Sequence, residues 1–370
     1  MMHKIHILTK GFQSPNGIAF LFPFIVYRKE LADCGIQTKF FTSIAHPKLC
    51  DCDVLFIESR SVSHRWEVEG DQAVLMDLSR LAESVPLVWF DISDSSGWLQ
   101  PQVLPFVRWY CKGQLLKDKS LYMKKLYGNR LWADYYHQSF GATDSTPARN
   151  RVLTDPSRLG QLRLSWNSGL ANYSMYGPHI MGLRRFIPIN ALFWLPKKFV
   201  PSNSERTVAL SCRMGTKYER ETVSYQRKKI QTLLKDRLST RKLSRRAYYQ
   251  EMRETRLVIS PFGFGEITLK DFEATLCGAT LLKPDMSHME TWPNLFVYGK
   301  TILTHSWDLS DFMEKLSMAY SCPHQLKTLA ECAQQTYREE LEKKTSEIGF
   351  CNRVVSIVHD TVSTIEPDAT

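Results

Sequence analysis

At 370 residues the chain is long enough for two domains with well-formed cores and too long for one ordinary core. Its 43% hydrophobic content contains no apolar run of the roughly 18–20 residues that span a bilayer, and its nine cysteines, odd in number and irregularly spaced, form no disulfide framework or zinc pattern. The 48 basic against 38 acidic residues give a net charge of +10, which suits nucleic acid, an anionic membrane face or an anionic small substrate; no nucleic-acid module is recognisable.

Lys4–Thr9 reads as a first strand that begins almost at once, so no signal peptide is expected and a cytoplasmic location is. The turn-rich loop Gly11–Gly17, which holds Asn16, follows it. Ile18–Cys34 fits one helix stopped by Gly35. Gln37–Thr42, Asp53–Glu58 and Pro86–Asp91 read as strands two to four, with a helix over Asp71–Glu83 between the last two. Strands alternating with helices at this spacing predict a doubly wound parallel sheet, whose ligands gather at the carboxyl ends of its strands. Three loops fall there: Gly11–Gly17 with Asn16, Glu58-Ser-Arg60, and Asp91-Ile-Ser-Asp94. Asn16, Arg60 and Asp94 are therefore expected to bind an acceptor. Asp91 is a candidate general base, the alternative being that Asp94 or Ser95 caps the next helix.

Residues 102–141 form a basic and aromatic stretch, expected to be a helical insertion packing its own aromatics. Stacking on sugar rings, on single-stranded nucleic acid or on a membrane face are the other options. His137 is a second candidate base there. Residues 142–160 read as a loop, and Trp166, Asn167, Gly169 and Asn172 as cleft or framework residues. Arg184-Arg185 and Lys197-Lys198 precede the clearest linker, Pro201–Glu205. The expected division is 1–200, 205–345 and a terminal helix within 346–370.

The second half restarts the pattern. Arg206–Cys212 reads as a strand followed by Arg213 and Lys217, a basic pair suited to a diphosphate. Basic helices over Tyr225–Leu238 and Arg245–Glu254 lead into Leu257–Ser260, a short β-branched run. Pro261-Phe-Gly263-Phe-Gly265 then permits sharp turns and close backbone approach. From Glu266 a helical period begins and Gly278 is placed to stop it; Ala279–Leu282 is the next strand. Glu266 and Glu273, seven residues apart, lie nearly two helical turns from one another and so face the same way. Amides at a helix N-terminus attract phosphate and a carboxylate accepts hydrogen bonds from sugar hydroxyls. Asp285, after the strand, is within expected reach of a donor hydroxyl; Ser287–Trp292 is expected to be a loop. Lys300–Leu303, Asp311–Tyr320, Leu326–Leu341 and Gly349–Val362 read as a last strand and three helices.

The segment GEITLKDFEATLCGATLLKPD resembles the donor-site segment of GT-B glycosyltransferases, especially bacterial enzymes of the "group 1" type that build surface polysaccharides. Gly263, Gly265, Glu266, Glu273, Ala274 and Gly278 carry the match. One departure is spacing, with six residues between the glutamates where the family has seven. The resemblance implies two Rossmann-like lobes around a cleft, and a nucleoside-diphosphate sugar as donor with no metal or other cofactor. A saccharide or lipid-linked acceptor and an anionic inner-membrane face are the implied partners. Arg213, Lys217, Gly263 and Gly265 would hold diphosphate, Glu273 the ribose, and Glu266 and Asp285 the sugar. It also implies retention at the anomeric carbon, with the leaving phosphate helping to deprotonate the acceptor; an inverting route would use Asp91 or His137. A nucleotide-sugar epimerase of the same architecture, and a non-catalytic nucleic-acid or membrane-binding protein, are the alternatives.

Overall fold

The structure, a computed structural model, describes residues 2–146, 148–171, 193, 195–196, 198–203, 205–342 and 349–363. Asn172, Arg184, Arg185 and Lys197 lie outside these residues.

Apolar runs build the first sheet. β1 (His3–Leu8), β2 (Ile36–Phe41), β3 (Val54–Glu58) and β4 (Leu87–Asp91) are joined by β5 (Trp109–Lys112) and β7 (Leu162–Leu164) in the order β2-β1-β3-β4-β5-β7. All its pairings are parallel. β3 and β4 are buried along their whole length, as a sheet covered on both faces requires. The expected helix over 18–34 is instead two, α1 (Pro15–Val26) and α2 (Arg28–Asp33), broken where Tyr27 leaves helical geometry at ψ 23°. α1 opens on Ser14, whose hydroxyl accepts from the Gly17 amide at 3.1 Å. α3 (Ser63–Val68) and α4 (Gly70–Ser84) follow β3.

Residues 102–141 are not a helical insertion. They contribute β5, β6 (Gln114–Leu116), several 3-10 turns and a single helix, α5 (Leu131–Phe140). Much of the aromatic content packs inside: Tyr110, Trp132 and Tyr136 are all buried.

The second sheet is β8 (Val208–Ser211), β9 (Thr255–Ile259), β10 (Thr280–Pro284) and β12 (Ile302–His305), again all parallel, in the order β12-β10-β9-β8. α6 (Glu221–Leu234) and α7 (Arg245–Glu254) lie between β8 and β9, and α8 (Leu269–Leu276) between β9 and β10. α8 starts three residues after Glu266 because Thr268 and Asp271 form a reciprocal capping box, the Thr268 amide donating to Asp271 Oδ2 at 2.8 Å. It stops at Gly278, whose φ of +70° and close approach to the Val200 carbonyl leave no room for a side chain. β11 (Met289–Thr291) occupies what reads in sequence as loop. It pairs antiparallel with β6 and so joins the two lobes through a shared two-stranded ribbon.

α9 (Phe312–Ser321), α10 (Pro323–Glu342) and α11 (Gly349–Ser363) complete the chain. α11 returns to the first lobe: Phe350, Val354, Ile357 and Val358 share a core with Ile5, Phe24, Phe56 and Trp166. Arg163 on β7 pairs with Asp360 at 2.5 Å. Two Rossmann-like lobes with a terminal helix crossing back are the GT-B arrangement.

Candidate active site

The carboxyl ends of both sheets face one another across the lobe boundary, and the Pro261–Gly265 turn leaving β9 sits where they meet. Gly265 has no side chain because a Cβ there would overlap the Asp94 carbonyl of the first lobe. Next to it, Glu266 is fully buried and spans the boundary. Its Oε1 accepts from the Ser96 hydroxyl at 2.7 Å, its Oε2 from the Ser96 amide at 3.1 Å, and His288 Nε2 lies 3.4 Å from Oε1. Burial raises its proton affinity, but the His288 and Ser96 contacts outweigh that and hold the carboxyl below its ordinary range. Three further contacts close the boundary. Arg130 Nε donates to the Phe264 carbonyl at 2.7 Å, the Thr222 amide to Asp144 at 2.9 Å, and Asn167 Nδ2 to the Pro293 carbonyl at 2.8 Å. At the carboxyl end of the first sheet is a cavity of about 90 Å³, lined among others by Asn16, Asp91, Asp94, Gln114 and Asn167, with Ile267 reaching in from the second lobe.

Asp91, at the end of β4, has both oxygens occupied. Lys112 Nζ lies 2.6 Å and the Tyr110 hydroxyl 2.7 Å from Oδ2, while the Ser93 amide donates to Oδ1 at 2.9 Å. Burial pushes its pKa up, yet the Lys112 charge and the hydrogen bonds win and leave it below the usual carboxylate value. A carboxylate so satisfied is a weak base. Asn16 Nδ2 donates to the Ile92 carbonyl and to Asp94 Oδ1, both at 2.8 Å, so these two expected acceptor residues do meet at the cavity. Asp94 caps no helix. Arg60 stands apart in the 3-10 turn Ser59–Val62 and does not line the cavity.

His137 is not brought to the cleft. It lies on α5 with Nδ1 2.9 Å from the Ala142 carbonyl and its ring stacked on Tyr127 at 3.9 Å. Glu273 is likewise elsewhere: its oxygens accept from the Tyr248 and Tyr249 hydroxyls of α7 at 2.9 and 2.7 Å. The pairing of Glu266 and Glu273 on one helical face also fails, because Glu266 precedes the helix. Arg213 is held by Glu251, its Nε 2.8 Å from Oε1, while Lys217 is exposed. Asp285 accepts from its neighbour Ser287, at 3.2 Å from the amide. The N-terminus of α8, expected to draw phosphate, is already occupied by the Asp271 carboxylate. Asp271 is in turn paired with the buried Lys283 at 2.8 Å.

The unbalanced charge sits around the glycine turn and comes from residues the sequence reading left aside. Arg227 on α6 is 7% exposed; Nε donates to the Phe262 carbonyl at 2.6 Å, Nη1 to Gly215 at 3.1 Å and Nη2 to Pro261 at 3.3 Å. Arg130 is as deeply buried and holds Phe264 from the other side. Lys270, in the first turn of α8, donates to the Arg213 carbonyl at 2.5 Å. None of the three is ion-paired with a carboxylate among the described residues, and Arg220 Nη1 nearby is buried without a partner. Burial pushes Arg130 down to about 10, with Arg220 adding repulsion against the weaker pull of Glu266, Asp94 and Asp144, and pushes Lys270 down to about 8 against the pull of Asp271. Buried cations without counter-ions are costly unless an anion completes the set. Arg227 sits in the stretch read as a basic helix and Lys270 in the segment after the glycine turn, and only the fold shows that both turn inward.

No protein-family model matches the chain, and no curated protein matches it in sequence. Solved structures align over nearly its whole length but loosely. The Anabaena Alr3699/HepE complex with UDP-glucose aligns at 11% identity and a TM-score of 0.43, covering 98% of this chain and 100% of that one. Sucrose-phosphate synthase from Thermosynechococcus elongatus aligns at 10% and 0.43, with the same coverage. An alpha-glucosyltransferase complex with UDP-glucose and DNA aligns at 9% and 0.39, covering 97% and 100%. Superpositions this loose say nothing of what this chain binds, and its architecture rests on its own sheets.

Proposed function

We propose that the chain is a glycosyltransferase that moves a sugar from a nucleoside-diphosphate sugar to a saccharide or lipid-linked acceptor, with retention at the anomeric carbon. The carrying observation is a set of inward-turned cations that make no ion pair among the described residues, the buried Arg130 and Arg227 and the half-buried Lys270, around the glycine turn that faces the first lobe. In this reading their missing anion is the donor diphosphate, and the family resemblance of the Gly263–Gly278 segment supports it. As the bond from the anomeric carbon to the phosphate oxygen breaks, charge grows on the leaving diphosphate, where fixed cations act most strongly. The acceptor hydroxyl forms the new bond to that carbon, and its proton goes to a leaving-phosphate oxygen. That route asks for no protein base, which agrees with an Asp91 tied to Lys112 and a His137 outside the cleft.

A cavity of about 90 Å³ is far smaller than the roughly 300–1,000 Å³ of a ligand pocket. In this reading the donor enters with the lobes parted at the Gly265–Asp94 contact. The test is release of nucleoside diphosphate from a panel of UDP-, GDP- and ADP-sugars, with and without saccharide or polyprenyl-linked acceptors. Acceptor-dependent release supports the reading. Conversion of a sugar nucleotide without acceptor, or no turnover of any donor, contradicts it.

A further inference from the structure

Away from the cleft, two thiols meet where the chain crosses back to the first lobe. All nine cysteines are free, and no bond among them holds the fold. Cys34 caps the C-terminal end of α2, and Cys351 stands in the first turn of α11, near the other end of the chain. Aromatic packing brings them together. The Phe350 ring stacks on Tyr27 at 5.7 Å and meets Phe24 edge-on at 5.1 Å, so α11 begins against α1 and the start of α2. Cys351 is fully buried in that core, Cys34 is half-buried at its edge, and the two thiols share a hydrogen bond.

The surroundings give the two sulfurs different parts. Cys34 is the one that a small oxidant in solution reaches. Burial pushes the Cys351 thiol up to about 12, with Cys34 and Glu30 adding to the rise, so it keeps its proton and is inert toward an oxidant by itself. Cys50 and Cys52 also lie near one another, but only one residue separates them in the chain, and the Cys52 thiol donates to the Leu49 carbonyl at 3.5 Å. The Cys34–Cys351 contact alone joins the terminal helix to the opening helices.

We propose that Cys34 and Cys351 form a disulfide when the chain meets a peroxide, fastening the terminal helix to the first lobe. The Cys34 sulfur takes one oxygen of hydrogen peroxide to become a sulfenic acid, and water leaves. The Cys351 sulfur then attacks the Cys34 sulfur and the S–O bond breaks. The departing hydroxide takes the Cys351 proton and leaves as a second water. Two thiols thus lose two electrons, and one peroxide gains them. In the reduced chain α11 is held by its apolar packing and by the Arg163–Asp360 pair. The bond makes that attachment covalent and closes most of the chain into one loop, which restricts the unfolded chain more than the folded one. The proposal goes beyond the transferase reading, since it needs no nucleotide and no turnover.

The test is peptide mass spectrometry of the full chain, first reduced with dithiothreitol and freed of it, then treated with hydrogen peroxide and capped with N-ethylmaleimide. A linked Cys34–Cys351 peptide pair, lighter than its halves by the thiol hydrogens and released by dithiothreitol, is the expected product. Oxidation is expected to raise the melting temperature by roughly 5 °C, reversibly. Cys34→Ser, at a half-buried position, is expected to melt with the reduced parent and to gain nothing from peroxide. Cys351→Ala is expected to show no gain either, whatever its own starting stability. Three results would overturn the proposal: both thiols still capped after peroxide, a link from either to a different cysteine, or an equal gain in Cys34→Ser.

Discussion

The carboxyl ends of the two sheets handle buried charge in opposite ways. In the first lobe Asp91 and Lys112 neutralise each other 2.6 Å apart, both fully buried, and a tyrosine and an amide complete the set. In the second, Asp271 and Lys283 make a similar closed pair, yet Arg227 and Lys270 near it make no ion pair of their own, and Arg130 reaches the same glycine turn from the first lobe. A closed pair tells of architecture; an open set of cations tells of a missing partner. Two acids after a strand attract attention in a sequence, but here Asp91 is satisfied within the fold, and the cations around the glycine turn are the proposed site.

Removing one charge from each region breaks the comparison most sharply. Lys112→Met leaves Asp91 buried and alone, and is expected to destabilise the chain by about 3–5 kcal/mol in denaturant titration. Lys270→Met leaves no orphaned carboxylate, so the ligand-free chain is expected to be as stable as the parent or more so. Equal losses in both variants would mean that the two regions do not differ.

The same contrast appears in pH. A lysine whose proton is held more weakly folded than unfolded penalises folding at low pH, and the penalty lifts as pH rises through its folded value toward its ordinary one. With Lys270 lowered to about 8, stability of the ligand-free chain is expected to rise between about pH 8 and 10.4, and that rise is expected to vanish in Lys270→Met. Thermal melts across this range check it; an unchanged rise in the variant assigns the effect to another group. The smallest effect is expected from Glu273→Ala. Loss of two tyrosine hydrogen bonds costs about 1–2 kcal/mol, with no change in the melting-temperature gain from UDP or GDP. A gain lost in that variant would return Glu273 to the ribose.

Where local pattern dictated structure, the sequence was readable. The apolar runs of β1, β3, β4, β9 and β10, the glycine stop at Gly278 and the two-lobe plan follow from periodicity and turn chemistry. β5, β6, β7 and β11 are three or four residues long and include Lys112, Gln114, Arg163 and Glu290, so alternation has nothing to register. β11 and β6 are paired across some 175 residues of chain, a contact no local signal announces. Glu266 was singled out for its charge, but its role in the structure, bridging to Ser96, depends on a partner 170 positions away. Which lysines and arginines turn inward is likewise decided by helix packing that composition does not carry.

The central claim is that a nucleoside diphosphate completes the cations around the glycine turn. Isothermal titration of UDP and GDP into the parent chain, Arg227→Gln and Lys270→Met tests it most directly. Binding of one nucleotide to the parent, weakened about 10–100-fold in each variant, is the predicted result, from the roughly 1.5–3 kcal/mol of a charged hydrogen bond. Equal affinity in all three chains, or no binding to the parent, would contradict it.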